Sequence, residues 1–198
     1  MPINFSNAVF IKGAHNINQC LPDIGIEIAV AGRSNAGKSS ALNVITGING
    51  LARISKQPGR TQQINYFELK KDRYLVDLPG YGYAKVPPKL RQHWDETLSA
   101  YFETRQSLRG LIVIMDIRHP MKDLDQQLIE WVADIGIPLH CLLTKADKLS
   151  KGQAASALQK TRAQLMLIEP TITLQLFSAL DSRGVDKARE KIEQWLLE

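Results

Sequence analysis

The stretch that decides the fold reads Gly32-Arg33-Ser34-Asn35-Ala36-Gly37-Lys38-Ser39. It directly follows an apolar run of strand length at residues 26–31 and precedes a segment of helical character at residues 40–45. This is the pattern G-x-x-x-x-G-K-[ST] in the strand-then-helix context that the pattern requires. Its glycines let successive backbone N–H groups turn inward towards phosphate oxygens, and the following helix adds the positive end of its dipole. We therefore expect Lys38 to reach β- and γ-phosphates and the Ser39 hydroxyl to bind Mg²⁺.

Two further segments would complete a phosphate and magnesium site. Asp77-Leu78-Pro79-Gly80 ends a short predicted strand, so that the carboxylate can hold Mg²⁺ through water and the Gly80 N–H can touch a γ-phosphate. Thr61 lies in a polar, basic loop at residues 51–63 and is the candidate to close over the metal when a γ-phosphate is present. The predicted metal ligands are Ser39, Thr61 and Asp77. The nucleotide contacts predicted in the loop are Gly59, Arg60, Thr61, Gln62 and Gln63.

A third set of residues would select the base. Thr144-Lys145-Ala146-Asp147 follows the fifth predicted strand, at the edge of the sheet where ligands of this fold class bind. The Asp147 carboxylate can accept hydrogen bonds from the ring N–H and the exocyclic amine of guanine, a donor pair that adenine lacks. Lys145 would lay its alkyl stem along the base. The remaining predicted contacts, at the end of the last strand, are Phe177, Ser178 and Ala179, with a backbone N–H for the guanine carbonyl.

The rest of the chain alternates apolar runs of strand length with segments of helical period. This predicts an α/β fold with a six-stranded, mostly parallel sheet and helices on both faces. The strands are expected at residues 26–31, 64–69, 74–77, 111–115, 139–143 and 173–177. A polar turn at residues 70–72 predicts a hairpin, so that one strand runs antiparallel to the others. Apolar spacing predicts three further helices, and Trp94, Trp131 and Trp195 should pack on their inner faces.

Composition indicates one compact domain. The chain has 198 residues, of which 44% are hydrophobic and 23% charged, as in soluble globular proteins. We expect one nucleotide-binding domain at residues 23–198, with residues 1–22 as an N-terminal extension packed on it. Two cysteines make a disulfide framework or a cysteine-based zinc site improbable, and the longest apolar run is far shorter than the roughly 20 residues of a membrane span. We expect a cytoplasmic monomer with no membrane partner.

The positive charge of the chain is concentrated in one region. The net charge is +5, yet residues 50–91 alone carry nine basic and three acidic side chains. This segment contains both loops that are expected to sense the γ-phosphate. A salt-dependent RNA-binding surface is one interpretation, and a solvated basic face is the other.

The ordered set GRSNAGKS, PGRTQ, DLPGYGYA, TKAD and SA resembles the Ras-like small GTPase fold. In particular it resembles the bacterial EngB family, also called YihA or YsxC, within the TrmE-Era-EngA-EngB-Septin-like superfamily. The resemblance runs from Gly32 to Ala179 and includes Met115-Asp116-Ile117-Arg118-His119-Pro120. It implies binding of GTP and GDP with Mg²⁺, assembly of the large ribosomal subunit through contacts with its rRNA and proteins, and a requirement in cell division and septation.

The sequence lacks one of the residues that usually assist GTP hydrolysis. Many regulatory GTPases place Gln after the D-x-x-G glycine to orient the attacking water, whereas this chain has Tyr81, so we expect a low intrinsic rate. Asn35 resembles the P-loop Asn of potassium-stimulated GTPases, which implies K⁺ beside the phosphates; its other interpretation is a turn residue. Arg33 and Arg60 are further candidates for positive charge. The predicted catalytic residues are Lys38, Thr61, Gly80 and Asn35.

Two alternatives remain at this point. A P-loop kinase would share the phosphate loop, but it would need an acceptor pocket and would have no use for residues 144–147. A binding module in which hydrolysis is incidental is the other. Thr144 stands where most GTPases have Asn, and its single hydroxyl should hold guanine less firmly.

Overall fold

The computed structural model describes residues 2–52, 63–81 and 88–198, with only the backbone of residues 88–95. One seven-stranded sheet has the order β1-β3-β4-β2-β5-β6-β7. Its strands are β1 (Val9–Ala14), β2 (Ile26–Gly32), β3 (Ile64–Lys70), β4 (Arg73–Asp77), β5 (Leu108–Asp116), β6 (Leu139–Thr144) and β7 (Thr173–Leu176). The helices are α1 (Lys38–Thr46), α2 (Pro88–Thr104), α3 (Asp123–Asp134), α4 (Lys151–Ile168) and α5 (Val185–Leu197).

The sheet is parallel except at β3. That strand pairs antiparallel with both β1 and β4, and every other neighbouring pair is parallel. The turn between β3 and β4 includes Asp72, whose φ of +58° suits a tight hairpin. The α/β class, the single antiparallel strand and the hairpin are confirmed.

The predicted count of six strands is one too low, because β1 adds a seventh at the edge. Val9, Phe10 and Ile11 are apolar yet exposed, so that the strand lacks the alternation typical of a half-buried strand. Its pairing with β3 is also irregular between Phe10 and Lys12. The predicted domain boundary at residue 23 stays a prediction.

Each face of the sheet carries its own apolar core. Along β2, Ala29 and Ala31 face the core covered by α2, α3 and α4, whereas Ile28 and Val30 face the core covered by α1 and α5. All of β2 is buried, as expected for a central parallel strand. Helices therefore cover both faces and leave the carboxyl ends of the strands for the loops that carry the motifs.

Two of the three tryptophans can be compared with the prediction. Trp195 on α5 is buried in the second core, and Trp131 on α3 is half-buried with its ring centroid 5.3 Å from that of Phe102. The side chain of Trp94 lies outside the described residues. No helix in the described residues is long and apolar enough to cross a membrane.

Candidate nucleotide-binding site

The predicted motifs meet at one edge of the sheet. The phosphate loop follows β2, Asp77 ends β4, Thr144 ends β6, and Ser178 lies two residues beyond β7. Because these strands are parallel, their carboxyl ends lie side by side, where open α/β sheets bind ligands. The site thus spans the sheet from β4 to β7.

The phosphate loop has the backbone that its sequence requires. Gly37 adopts φ +97° immediately before α1, and Asn35 adopts φ +63°, both in the left-handed region. A Cβ on Gly32 would lie 2.8 Å from the carbonyl oxygen of Ile114, so the loop begins in close contact with β5. Since α1 begins at Lys38, the N–H groups of its first turn have no acceptor within the helix and suit an anion.

Lys38 and Asp77 form a buried ion pair within this site. The Lys38 Nζ contacts the Asp77 Oδ1, and the two side chains are only 9% and 3% exposed. A lysine from the start of α1 and a carboxylate from the end of β4 thus share one pocket, as a site for phosphate and metal requires. Mg²⁺ prefers oxygen ligands, and the Asp77 carboxylate with the Ser39 hydroxyl supplies such a donor set. The third predicted ligand, Thr61, lies outside the described residues.

The segment after Asp77 runs directly beside the phosphate loop. The Leu78 N–H donates to the Val30 carbonyl at 3.0 Å, and the Ser34 N–H donates to the Tyr81 carbonyl at 3.0 Å. Pro79 and Gly80 lie buried between these two contacts. Gly80 is therefore held close to the loop that is predicted to bind phosphate.

Thr144 supports the phosphate loop. Its side chain is buried, and its hydroxyl lies within hydrogen-bond distance of two carbonyl oxygens, that of Ala36 in the loop and, at 3.0 Å, that of Met115 on β5. A hydroxyl that donates its one proton to a carbonyl of the loop has no second proton to donate to a base. The predicted weaker hold on guanine stays a prediction.

Lys145 reaches back across the same loop. It has φ +58°, and its Nζ donates to the Asn35 carbonyl at 2.7 Å and lies 2.9 Å from an Asp116 oxygen. Burial raises the pKa of Asp116, but hydrogen bonds from Arg118 and Lys145 outweigh it and hold this pKa well below its usual range. Asp116 therefore stays charged and anchors the lysine.

Asp147 presents a charged acceptor at the end of the site that is predicted to bind the base. The Ser178 hydroxyl donates to its Oδ1 at 2.8 Å, and the Lys148 Nζ lies 3.3 Å from its Oδ2. Burial opposes ionisation, but these contacts outweigh it and lower the pKa of Asp147. The Ser178 N–H donates to the Arg183 carbonyl at 3.0 Å, which leaves Ala179 as the candidate backbone donor for the base. The side chain of Phe177 is buried, and its carbonyl oxygen accepts a hydrogen bond from the Ala146 N–H at 3.1 Å.

The arginine candidates for catalysis have different outcomes. The Arg33 Nε donates to both oxygens of the buried Asp125, at 3.0 and 2.9 Å, and its Nη2 donates to the His119 carbonyl at 2.8 Å. This guanidinium is bound to α3 and the turn before it, so the structure does not favour it as the charge that assists hydrolysis. Gly59, Arg60 and Gln62 lie outside the described residues. Gln63 lies beside β1, where its amide contacts His15 at 2.7 Å.

Two carboxylates at this site were not among the predicted site residues. Asp116 ends the apolar strand β5 in the same way that Asp77 ends β4. This position at a strand end could have indicated that Asp116 belongs to the site. Asp125 gave no such signal, because its partners Arg33 and Tyr81 come from other parts of the chain. Among the described residues, no group of His, Cys, Asp or Glu side chains is arranged to hold a metal ion by itself.

Comparison with known proteins agrees with this geometry. A family model described as "50S ribosome-binding GTPase" matches residues 27–145. The chain is 52% identical over 197 residues to the "Probable GTP-binding protein EngB" of Stenotrophomonas maltophilia, covering 99% of this chain and 98% of that protein. It is 50% identical over 191 residues to the protein of the same name from Coxiella burnetii, covering 96% and 93%.

Solved structures show the same fold. The crystal structure of a probable GTP-binding protein engB superposes with a TM-score of 0.69 at 20% identity, over 86% of this chain and 98% of that one. A GDP-bound mutant of the S. thermophilus NFeoB protein gives 0.59 at 26% identity, over 86% and 62%. The P-loop kinase alternative is wrong, and the α/β P-loop GTPase fold is confirmed. The chain belongs to the EngB family of GTP-binding proteins and is a GTPase.

Proposed function

We propose that this GTPase acts as a switch in assembly of the large ribosomal subunit, hydrolysing GTP slowly, and that dividing cells need it for septation. The observation that carries the proposal is the bonding of Tyr81 to Gly32 and Ser34 of the phosphate loop, because Tyr81 and the predicted γ-phosphate contact at Gly80 both belong to residues 50–91, the most basic part of the chain. The matching family's description as 50S ribosome-binding supports the same partner. Its ligands would be rRNA and ribosomal proteins, and the chain would work as a cytoplasmic monomer.

The environment of Tyr81 supports a slow intrinsic rate. Its hydroxyl donates to the Asp125 Oδ1 at 2.9 Å. This side chain therefore offers no free donor and acceptor pair to an attacking water. Hydrolysis would depend on Lys38 and Gly80 at the phosphates, on Thr61 at the metal, and on any further cation.

Two ions belong to the proposal. Mg²⁺ would be held by Ser39 and Asp77, with Thr61 as the third ligand, and would neutralise charge on the phosphates. K⁺ is the candidate second ion beside Asn35, whose left-handed φ equally suits its interpretation as a turn residue. Turnover measured in KCl and in NaCl at equal ionic strength separates the two: a higher rate in K⁺ supports the ion, and equal rates exclude it.

The basic surface can be tested at Lys70 and Lys71. Both side chains are exposed at the β3–β4 turn, whereas Lys151 and Lys160 are exposed on α4 and provide a control of equal charge change. Lysines that contact phosphate release counterions, so RNA binding weakens as salt rises.

The experiment is co-sedimentation of the protein with large-subunit particles, in a non-hydrolysable GTP analogue and in GDP, over a series of salt concentrations. We expect binding in the GTP state that weakens with salt, and a loss of about tenfold, or about 1.4 kcal/mol, on Lys70→Glu with Lys71→Glu. Lys151→Glu with Lys160→Glu should bind like the wild type. Equal binding in both nucleotide states, or equal loss in both double variants, would contradict the proposal.

A further inference from the structure

A fully buried carboxylate joins three separate parts of the molecule beside the phosphate loop. Asp125 lies in the first turn of α3 and has no exposed surface. It accepts hydrogen bonds from the Arg33 Nε at 3.0 and 2.9 Å and from the Tyr81 hydroxyl at 2.9 Å. It also accepts the Lys122 N–H at 3.2 Å. These donors come from the phosphate loop, from the segment after Asp77 and from the start of α3.

The number of donors is what allows this carboxylate to be buried. A buried charge is strongly unfavourable unless it is paired and hydrogen-bonded. Burial raises the pKa of Tyr81, and the neighbouring Asp125 charge raises it further. The phenol therefore keeps its proton and donates a hydrogen bond to Asp125. The three side chains of Arg33, Tyr81 and Asp125 therefore act as one unit, called here the Asp125 clamp.

The backbone beside the clamp is held in the same way. Arg33 and Tyr81 form a parallel backbone bridge, and the Tyr81 N–H lies 3.4 Å from the Gly32 carbonyl. Tyr81 directly follows Gly80, whose N–H is predicted to contact the γ-phosphate. The residue next to Gly80 is therefore held through its backbone to the phosphate loop and through its side chain to Asp125.

A strained turn adjoins the clamp. Met121 has φ +53° although it is not glycine, and such strain persists only where the surroundings over-determine the conformation. Arg33 holds this turn at the His119 carbonyl, and Asp125 holds it at the Lys122 N–H. The clamp therefore carries contacts from the phosphate loop into the turn that begins α3.

We propose that Asp125 is a positioning residue for GTP hydrolysis: by holding Arg33 and Tyr81 together it fixes Gly80 against the phosphate loop, so that the protein distinguishes GTP from GDP. The Asp125 clamp does not touch the nucleotide in this role. It acts on the γ-phosphate through the backbone between Asp77 and Tyr81. The inference rests on the GTPase activity and is independent of the ribosomal role proposed above.

The test replaces Asp125 with Asn, which keeps the shape but turns one acceptor into an amide donor that faces donors. Tyr81→Phe is the milder variant, because it removes only the hydroxyl that reaches Asp125. Asp123→Asn, at an exposed position on the first turn of the same helix, removes the same charge as a matched control. Binding constants for GDP and a non-hydrolysable GTP analogue, kcat and KM are measured, and thermal unfolding verifies that each variant is folded.

We expect Asp125→Asn and Tyr81→Phe to lower kcat and to weaken binding of the GTP analogue by about tenfold, with GDP affinity within about twofold of the wild type. A purely structural role would weaken both nucleotides equally, and that outcome would overturn the proposal. Unchanged discrimination and kcat in Tyr81→Phe would also overturn it, even if Asp125→Asn does not fold. Asp123→Asn should match the wild type. A wild-type protein that binds both nucleotides equally would also overturn the proposal, because it would leave no discrimination for the Asp125 clamp to maintain.

Discussion

At the residue scale, the predicted selection of guanine would depend on one carboxylate that is charged and held in position. Asp147 accepts from Ser178 and lies beside Lys148, and these contacts outweigh burial and lower its pKa. A charged acceptor suits guanine, which offers two donors on one edge. Adenine offers no such donor pair, so the carboxylate would lose water on that edge without gaining hydrogen bonds from the base, and a charged group that loses hydrogen bonds is costly.

Replacing Asp147 with Asn should therefore move the preference from guanine to xanthine. The amide can donate to the xanthine carbonyl but meets the exocyclic amine of guanine as a second donor. We expect GTP affinity to fall by about 10- to 100-fold, as for loss of hydrogen bonds to a charged group, and xanthosine triphosphate affinity to rise. Competition between the two nucleotides measures this. Asp134→Asn changes an exposed position on α3 and should leave the preference unchanged. If Asp147→Asn did not change the relative affinities for the two nucleotides, Asp147 would not be the residue that selects the base.

The residues that could be predicted are those whose neighbours in sequence carry the signal. Lys38, Asp77 and Asp147 belong to short motifs at strand ends, and the structure brings all three to one edge of the sheet. Asp125 could not be predicted, because its importance lies in contacts with residues 44 and 92 positions away along the chain. Local spacing carries no information on such contacts.

At the element scale, α5 packs on β5 through a position that has no room for a side chain. A Cβ on Gly110 would lie 2.5 Å from the Trp195 ring. The ring covers the strand directly and is only 4% exposed. The close approach of this helix to the sheet therefore depends on a glycine.

Gly110→Ala should consequently destabilise the protein by about 1 to 3 kcal/mol, the usual cost of overpacking a dense core. Urea unfolding measures the free energy. Gly152→Ala on α4 is the matched control, because its Cβ meets open space. Alanine favours helix, so this control should be unchanged or more stable by up to about 1 kcal/mol. Equal effects of the two variants would show that the Trp195 contact does not limit the packing.

The β6–β7 pair contains a buried histidine that should make stability depend on pH. Burial lowers the pKa of His140 to about 4, and a hydrogen bond to Gln175 opposes this only in part. The folded protein thus keeps His140 neutral, whereas the unfolded chain protonates it near pH 6.5. Between pH 6.5 and 4 the unfolded state binds more protons, so stability falls with falling pH by up to about 1.4 kcal/mol per pH unit.

Urea unfolding at several pH values should show this slope, and His140→Gln should reduce it. The slope is compared rather than the absolute stability, because the variant also alters contacts of 2.7 Å to Thr173 and 3.0 Å to Gln175. Parallel curves for the two proteins would exclude His140 as the group responsible.

The elements that the sequence did not predict have weak apolar patterns. The buried positions of α4 are only Ala154, Thr161 and Leu165, which form a narrow stripe on a long helix. Strand β1 exposes three consecutive apolar residues and therefore lacks the apolar-polar alternation of a half-buried strand. Strand β1 lies at the edge of the sheet, where pairing with β3, rather than periodicity, determines the conformation.

At the scale of the whole molecule, one nucleotide would bind across most of the sheet. Its phosphates are predicted to lie beside β2 and β4 and its base beside β6 and β7, with β5 between them. Unfolding any of these strands would remove part of the site. Binding should therefore stabilise the chain as one cooperative unit.

Thermal unfolding should accordingly show a single transition whose midpoint rises with GDP in the presence of Mg²⁺. A ligand that binds only the folded state adds about 2.7 kcal/mol at a concentration of 100 times its Kd. ADP at the same concentration should leave the midpoint unchanged, because Asp147 finds no donor pair on adenine. A chelator of Mg²⁺ should reduce the stabilisation by GDP, since Asp77 and Ser39 would then meet phosphate without the metal. Two separate transitions, of which GDP shifts only one, would instead mean that the two ends of the site unfold independently.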